Sequence, residues 1–198
     1  METNTQETIP LGQTLFINFM AEINSVTASR LLSIISDHLR TGIIKKIKIN
    51  ISSPGGSVFH AISLYNFISG LKEIEIHTHN FGQVDSAATV IFLSGKKRTC
   101  SPVATFLFHG PQRIFMGTPR IGLDKKALTE NLTALQSDID KLVEIISRTT
   151  KQEKDKISDF FEKQVVFTAE KAKEENLVHE IIDETIPFGA PYIVTITD

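Results

Sequence analysis

Twice in succession the chain passes from alternating side chains through a sharp break into helical spacing. Residues 45–70 read KKIKINISSPGGSVFHAISLYNFISG, and residues 73–95 read EIEIHTHNFGQVDSAATVIFLSG. Alternation with a period of two marks a strand with two unlike faces, whereas Ala61, Leu64, Tyr65 and Ile68 recur at the three-and-four spacing of a helix with one apolar stripe. Strand, turn and helix in repeated order predict an α/β fold on a largely parallel sheet, because parallel neighbours need a long crossover and a helix supplies it. FGQVD reads as the loop of the second unit and AATVIFLSG as its short buried helix. In such sheets function gathers where strands end.

Ahead of these units, TLFINF (Thr14 to Phe19) is predicted as a strand and SVTASRLLSIISDHLRTG as a helix, with Leu31, Leu32, Ile34, Ile35 and Leu39 facing inward and Gly42 ending it. KKRTCS and ATFLFH follow as short strands. From Gly122 to about Thr149, Leu128, Leu132, Leu135, Ile139, Leu142 and Ile146 recur every three or four residues among charges. A helix of that length is expected to project from the body and bury its stripe against another copy. The tail carries a short helix around Ile157 to Phe161, a helix capped by Thr168, strand-like LVHEII, and an edge strand within PFGAPYIVTITD. No linker is long enough to divide the chain, so one domain is expected over 1–198, with a polar leader over 1–13, the long helix over 122–149 and a C-terminal extension over 184–198.

Charge narrows the classes of partner. Twenty-one basic against twenty-three acidic side chains give a net charge of −2, which argues for neither nucleic acid nor an anionic membrane. The single cysteine, Cys100, excludes an intrachain disulfide, and METNTQETIPLGQ lacks the basic start and apolar core of a secretion signal, so a cytoplasmic protein is expected. On that reading the glycosylation-like triplets at Asn50 and Asn131 are chance matches. No apolar run approaches the roughly 20 residues needed to span a bilayer.

The chemistry sits at the breaks. Ser86 falls between a strand and a helix start, where unpaired backbone N–H groups and the positive end of the helix dipole favour a developing oxyanion. The plainer alternative is that Ser86 or Asp85 merely caps that helix. In SSPGG, Pro54 fixes one dihedral while Gly55 and Gly56 permit positive φ, so the turn can aim an N–H outward; an ordinary strand-to-helix turn has the same composition. His109 ends the apolar ATFLF run and Gly110-Pro111 stops regular structure, which presents the ring at a strand edge. A serine hydroxyl needs a neighbouring base, and imidazole suits that role, so Ser86 and His109 form a candidate pair. His77 and His79 lie two apart on one strand face, but no third ligand is spaced to close a metal site.

INISSPGGSVFHAISLYNFI, GQVDSAATVIFLSGKKR, FLFHGP and the long helix together resemble the proteolytic subunit of the Clp protease, the ClpP family, in order, spacing and context from about Thr14 to Asp183. The resemblance implies a ClpP/crotonase-like spiral of strand-strand-helix units in which the long helix is a handle joining two rings of subunits. It implies a serine endopeptidase without metal or organic cofactor, with Ser86 as nucleophile, His109 as base, and the N–H groups of Gly56 and Ala87 as oxyanion hole. Gly56, Ser57 and Val58 on one side, with Pro111 and Gln112 on the other, would hold an extended polypeptide as an added strand.

Two departures, and a further difference in length, qualify these implications. Ungapped alignment of FTAEKAKEENLV puts Gln164 where the family carries the aspartate that orients the histidine. Because a triad Asp→Asn change costs about 10⁴ in turnover in a serine protease, a slow enzyme is expected unless Asp159 or Glu162 substitutes. The front of the chain is shorter than in the family, which weakens the expectation of an AAA+ unfoldase partner and of the usual stacked rings, and the stretch after His109 is several residues longer. Two rival readings follow: a catalytically weak structural or regulatory subunit, and a crotonase-type enzyme acting on an acyl-coenzyme A thioester.

Overall fold

The computed structural model describes residues 10–112, 124–184 and 186–198. Most of the leader, the start of the long helix at Gly122 and much of the lengthened stretch after His109 lie outside the described residues. After a turn of 3-10 helix at Leu11–Gln13, β1 (Thr14–Met20) runs into the core and α1 (Ser25–Leu39) returns across it. Asn24 caps α1 by accepting from the Val26 and Thr27 N–H groups, and Thr27 answers by accepting from the Asn24 N–H, a reciprocal capping box. Leu31 and Ile35 are buried as the spacing predicts, but Leu32 points outward and is 41% exposed. The apolar stripe of α1 is narrower than its composition, because the sheet it packs on meets only one side of the helix.

The repeated units fold next. β2 (Lys46–Ser53) leads through the SPGG turn into α2 (Val58–Gly70), whose buried residues are Ala61, Leu64, Tyr65 and Ile68. β3 (Glu75–Asp85) leads into α3 (Ala88–Phe92), buried at every position. Here the expected FGQVD loop is corrected: those residues continue β3. The strand is long because it changes partners. His77 to Asn80 pair with β4 (Lys97–Cys100), and Gln83 to Asp85 pair with β5 (Thr105–Leu107), both parallel. A register shift between Ile51 and Ser53 lets β2 follow the change.

α4 (Lys125–Thr150) is the long helix and α5 (Lys154–Lys163) turns back beside it. The C-terminal half of α4 buries Leu142, Val143, Ile145 and Ile146, whereas Leu128 and Leu132 near its start are 47% and 67% exposed. The helix therefore leaves the body with its apolar stripe still facing solvent. β6 (Val166–Phe167) pairs antiparallel with β5, α6 (Ala169–Glu174) starts at the Thr168 cap, and β7 (Glu180–Ile181) is the short portion of LVHEII that pairs with β4. β8 (Ile193–Thr197) closes the far edge beside β1. The eight described strands follow the order β6-β5-β3-β2-β1-β8, with β4 and β7 branching from β3.

Candidate active site

Everything that positions Ser86 comes from the partner change of β3. Asp85 pairs with Leu107 in the parallel register, and one residue later the Ser86 N–H donates to the Leu107 carbonyl at 2.7 Å. His109 lies two residues past Leu107, so the pairing that holds Ser86 also brings the imidazole to the same end of the sheet. Both side chains are half-buried and line one cleft of about 850 Å³.

Ser86 has φ +53, a left-handed conformation that a serine adopts only when its surroundings impose it. Nor does it cap the helix: the residue at the N-cap of α3 is Ala87, which supplies no side-chain hydrogen bond. The strained strand-to-helix turn instead leaves the hydroxyl to the cleft. Asp85 is also engaged elsewhere, its Oδ1 accepting the Leu107 N–H at 3.1 Å and its Oδ2 accepting from Gln83 at 3.2 Å. Burial pushes the Asp85 carboxyl above the usual carboxylate range, opposed by the Leu107 N–H and by the nearby His109.

The SPGG turn lies against the same spot. Gly55 and Gly56 have φ +93 and +133, and a Cβ on Gly55 would sit 2.7 Å from the Asp85 carbonyl oxygen and 2.8 Å from Ser86 Cβ. Only glycine lets the two turns touch. Gly56 is pinned in a parallel bridge to Ile23: the Ile23 N–H donates to the Gly55 carbonyl and the Ser57 N–H to the Ile23 carbonyl, both at 2.7 Å. In that bridge the Gly56 N–H points away from Ile23. Among the described residues neither it nor the Ala87 N–H has an acceptor.

The His109 ring places Nδ1 3.0 Å from the Gly110 carbonyl. A carbonyl only accepts, so this contact puts the proton of the neutral ring on Nδ1 and leaves the Nε2 lone pair available. No hydrogen bond joins the ring to Ser86 among the described residues. Just before it, Phe108 is buried against Phe160, Phe161 and Phe167, with ring centroids 5.9, 6.0 and 5.0 Å away, and these contacts fix the base of the histidine.

Gln164 ends α5 in a left-handed conformation, φ +51, with its side chain exposed and its backbone N–H donated to Phe160. Its neighbour Val165 accepts the Phe108 N–H at 2.9 Å, so the Gln164 backbone runs beside the histidine segment, but its side chain makes no described contact with the ring. Asp159 is held by Lys163 at 2.6 Å, and Glu162 is exposed. Ser57, Val58, Pro111 and Gln112 all line the cleft. Sequence reasoning passed over Glu22, Phe59 and Asp138, which line it too. Phe59, 73% exposed, was the one with a local signal, an aromatic on the outward face of a helix next to the glycine turn.

His77 Nε2 meets Glu75, while His79 lies 2.8 Å from Thr99 Oγ1 and 3.2 Å from Ser101 Oγ. No cluster able to hold a metal ion is present among the described residues, and none of their helices is long and apolar enough to cross a membrane.

The fold and the cleft together define the ClpP/crotonase class of α/β proteins. The structure superposes on a mutant of ClpP1 from Listeria monocytogenes with a TM-score of 0.71 at 22% identity, covering 87% of this chain and 92% of that one. The chain belongs to the Clp protease family, whose model matches residues 5–185. The ATP-dependent Clp protease proteolytic subunit 1 of Thermobifida fusca is 28% identical over 146 residues, 73% of this chain but only 61% of that protein. Subunit 2 of the corresponding protease from Borreliella burgdorferi is 30% identical over 141 residues, 70% of this chain and 68% of that one.

Proposed function

We propose that this protein is a serine endopeptidase that cleaves peptides or unfolded polypeptide. The observation that carries the reading is the convergence around one cleft of Ser86, His109 and Gly56, with the N–H groups of Gly56 and of Ala87, the residue after Ser86, both without an acceptor among the described residues. His109 Nε2 takes the proton as Ser86 Oγ attacks the scissile carbonyl, and the two N–H groups receive the charge that develops on its oxygen. The imidazolium then returns the proton to the leaving amine, and water hydrolyses the acyl-serine by the same steps in reverse.

The third member of the triad is reduced to one of its two duties. The Gly110 carbonyl holds the Nδ1–H tautomer, as an aspartate would, but brings no negative charge to stabilise the imidazolium. Slow turnover follows. The extended substrate lies between Gly56–Val58 and Pro111–Gln112 and is read mainly through its main chain, which predicts broad sequence tolerance. The solvent-facing Leu128 and Leu132 support assembly of several copies through the long helix.

The exposed Gln164 favours a second reading, a subunit that keeps the fold and contributes structure rather than turnover. A fluorophosphonate probe separates the two: it labels the native protein at Ser86 and fails to label Ser86→Ala, which also lowers peptidase activity on the order of 10³-fold or more. Equal labelling of both proteins would remove the peptidase reading.

A further inference from the structure

Residues 186–198 lie beyond the stretch matched by the family model, 5–185, yet they build an ordered part of the sheet. β8 pairs with β1 from Phe16↔Ile193 to Met20↔Thr197, with Ile196 fully buried. Its entry is fixed by the Phe16 N–H, which donates to the Tyr192 carbonyl at 2.9 Å, and by the edge-on packing of Tyr192 on His38 at 5.7 Å.

One residue past β8, Asp198 Oδ1 accepts the N–H of Glu22 at 2.8 Å. Glu22 lies beyond the end of β1, where the sheet no longer holds the chain, and it lines the cleft. Its carbonyl accepts the Thr27 hydroxyl at 2.6 Å, which ties the same residue to the start of α1. The next residue, Ile23, is the one from which the Gly55–Gly56 turn hangs through two backbone bonds of 2.7 Å. A continuous run of hydrogen bonds and one peptide link therefore joins Asp198 to the turn that presents the Gly56 N–H.

We propose that β8 and Asp198 act as a latch that positions the Gly55–Gly56 donor turn through Glu22 and Ile23. The inference rests on the reading of the Gly56 N–H as half of the oxyanion hole. Stabilisation of a developing charge depends on donors held in place before it forms, and a shift of a fraction of an ångström in the turn weakens it. Asp198 is a positioning residue: it touches no substrate.

Asp198 is exposed, so truncating it leaves the core intact. The test compares the native protein with Asp198→Ala and Asp198→Asn, the second of which keeps the Oδ1 acceptor and loses only the charge. Hydrogen exchange read by mass spectrometry follows peptides covering 20–24 and 54–58, and the rate of Ser86 labelling by a fluorophosphonate reports the oxyanion hole. With Asp198→Ala, exchange in both peptides is expected to rise about fivefold and labelling to slow several-fold at unchanged Tm, while Asp198→Asn stays close to native in both. Native exchange at 54–58 in Asp198→Ala overturns the latch, and so does native labelling despite faster exchange. If the native protein itself resists labelling, the peptidase reading fails and the exchange measurement alone decides the latch.

Discussion

The Ser86 N–H donates to the carbonyl of Leu107 at 2.7 Å, and this ladder bond ties the hydroxyl-bearing turn to β5, which ends two residues before His109. It commits the Ser86 N–H to the sheet and leaves that of Ala87 without an acceptor among the described residues. The left-handed φ of Ser86 is the conformational cost of that arrangement, on the order of 1–3 kcal/mol for a non-glycine residue.

Gly55→Ala tests the contact between the two turns. Its Cβ would press on the Asp85 carbonyl oxygen and Ser86 Cβ at a φ of +93. We expect a destabilisation of about 1–3 kcal/mol in denaturant melts and at least a tenfold loss of Ser86 labelling. Gly70→Ala, at the end of α2 where nothing lies within 4 Å of the new Cβ, should not destabilise the fold and should leave labelling unchanged.

Gln164→Asp should raise peptidase turnover, by a factor on the order of 10 to 10³, if the carboxylate turns toward the segment its backbone already accompanies. Aspartate tolerates the left-handed conformation at this position, φ +51, so the fold should persist. Steady-state kcat measured beside that of the native chain decides it, and an unchanged kcat would mean that position 164 has no part in catalysis.

Acid should destabilise the protein between pH 6.5 and about 4. Burial, reinforced by Lys46 for His77 and by Lys48 for His79, lowers both histidines from 6.5 to about 4. The unfolded chain therefore binds more protons between those values, and the stability contribution present above pH 6.5 is lost as the pH falls toward 4. Urea melts across that window should show falling stability, and His79→Gln should flatten the slope. A slope unchanged in that variant would exclude His79 as a source.

Leu132→Glu should disrupt self-association without unfolding the subunit. Leu132 is 67% exposed, so the substitution should alter subunit stability by no more than about 0.5 kcal/mol. A charge placed in an apolar contact between copies is costly, and light scattering after size-exclusion chromatography should report a smaller assembly. The same mass as native would show that the start of the long helix is not in the contact.

Local signals carried much of this molecule. The alternation of KIKINI, the three-and-four spacing of Ala61, Leu64, Tyr65 and Ile68 and the glycines of SPGG each express a preference of neighbouring residues, and each is realised, whereas the ATFLFH strand stops at Leu107, short of His109. Such preferences depend on period and dihedral angle, which neighbours along the chain suffice to set. Partnership is another matter. FGQVD resembles a loop by composition, yet it is strand because β5 arrives to pair with it, and that arrival brings Ser86 and His109 to one cleft. The outward turn of Leu32, the exposure of Gln164 and the reach of Asp198 to Glu22 likewise depend on which distant segment lies opposite. Sequence by itself determined the elements and the residues able to do chemistry; the choice of neighbours was decided only in three dimensions, because pairing energy belongs to two segments at once and is written in neither alone.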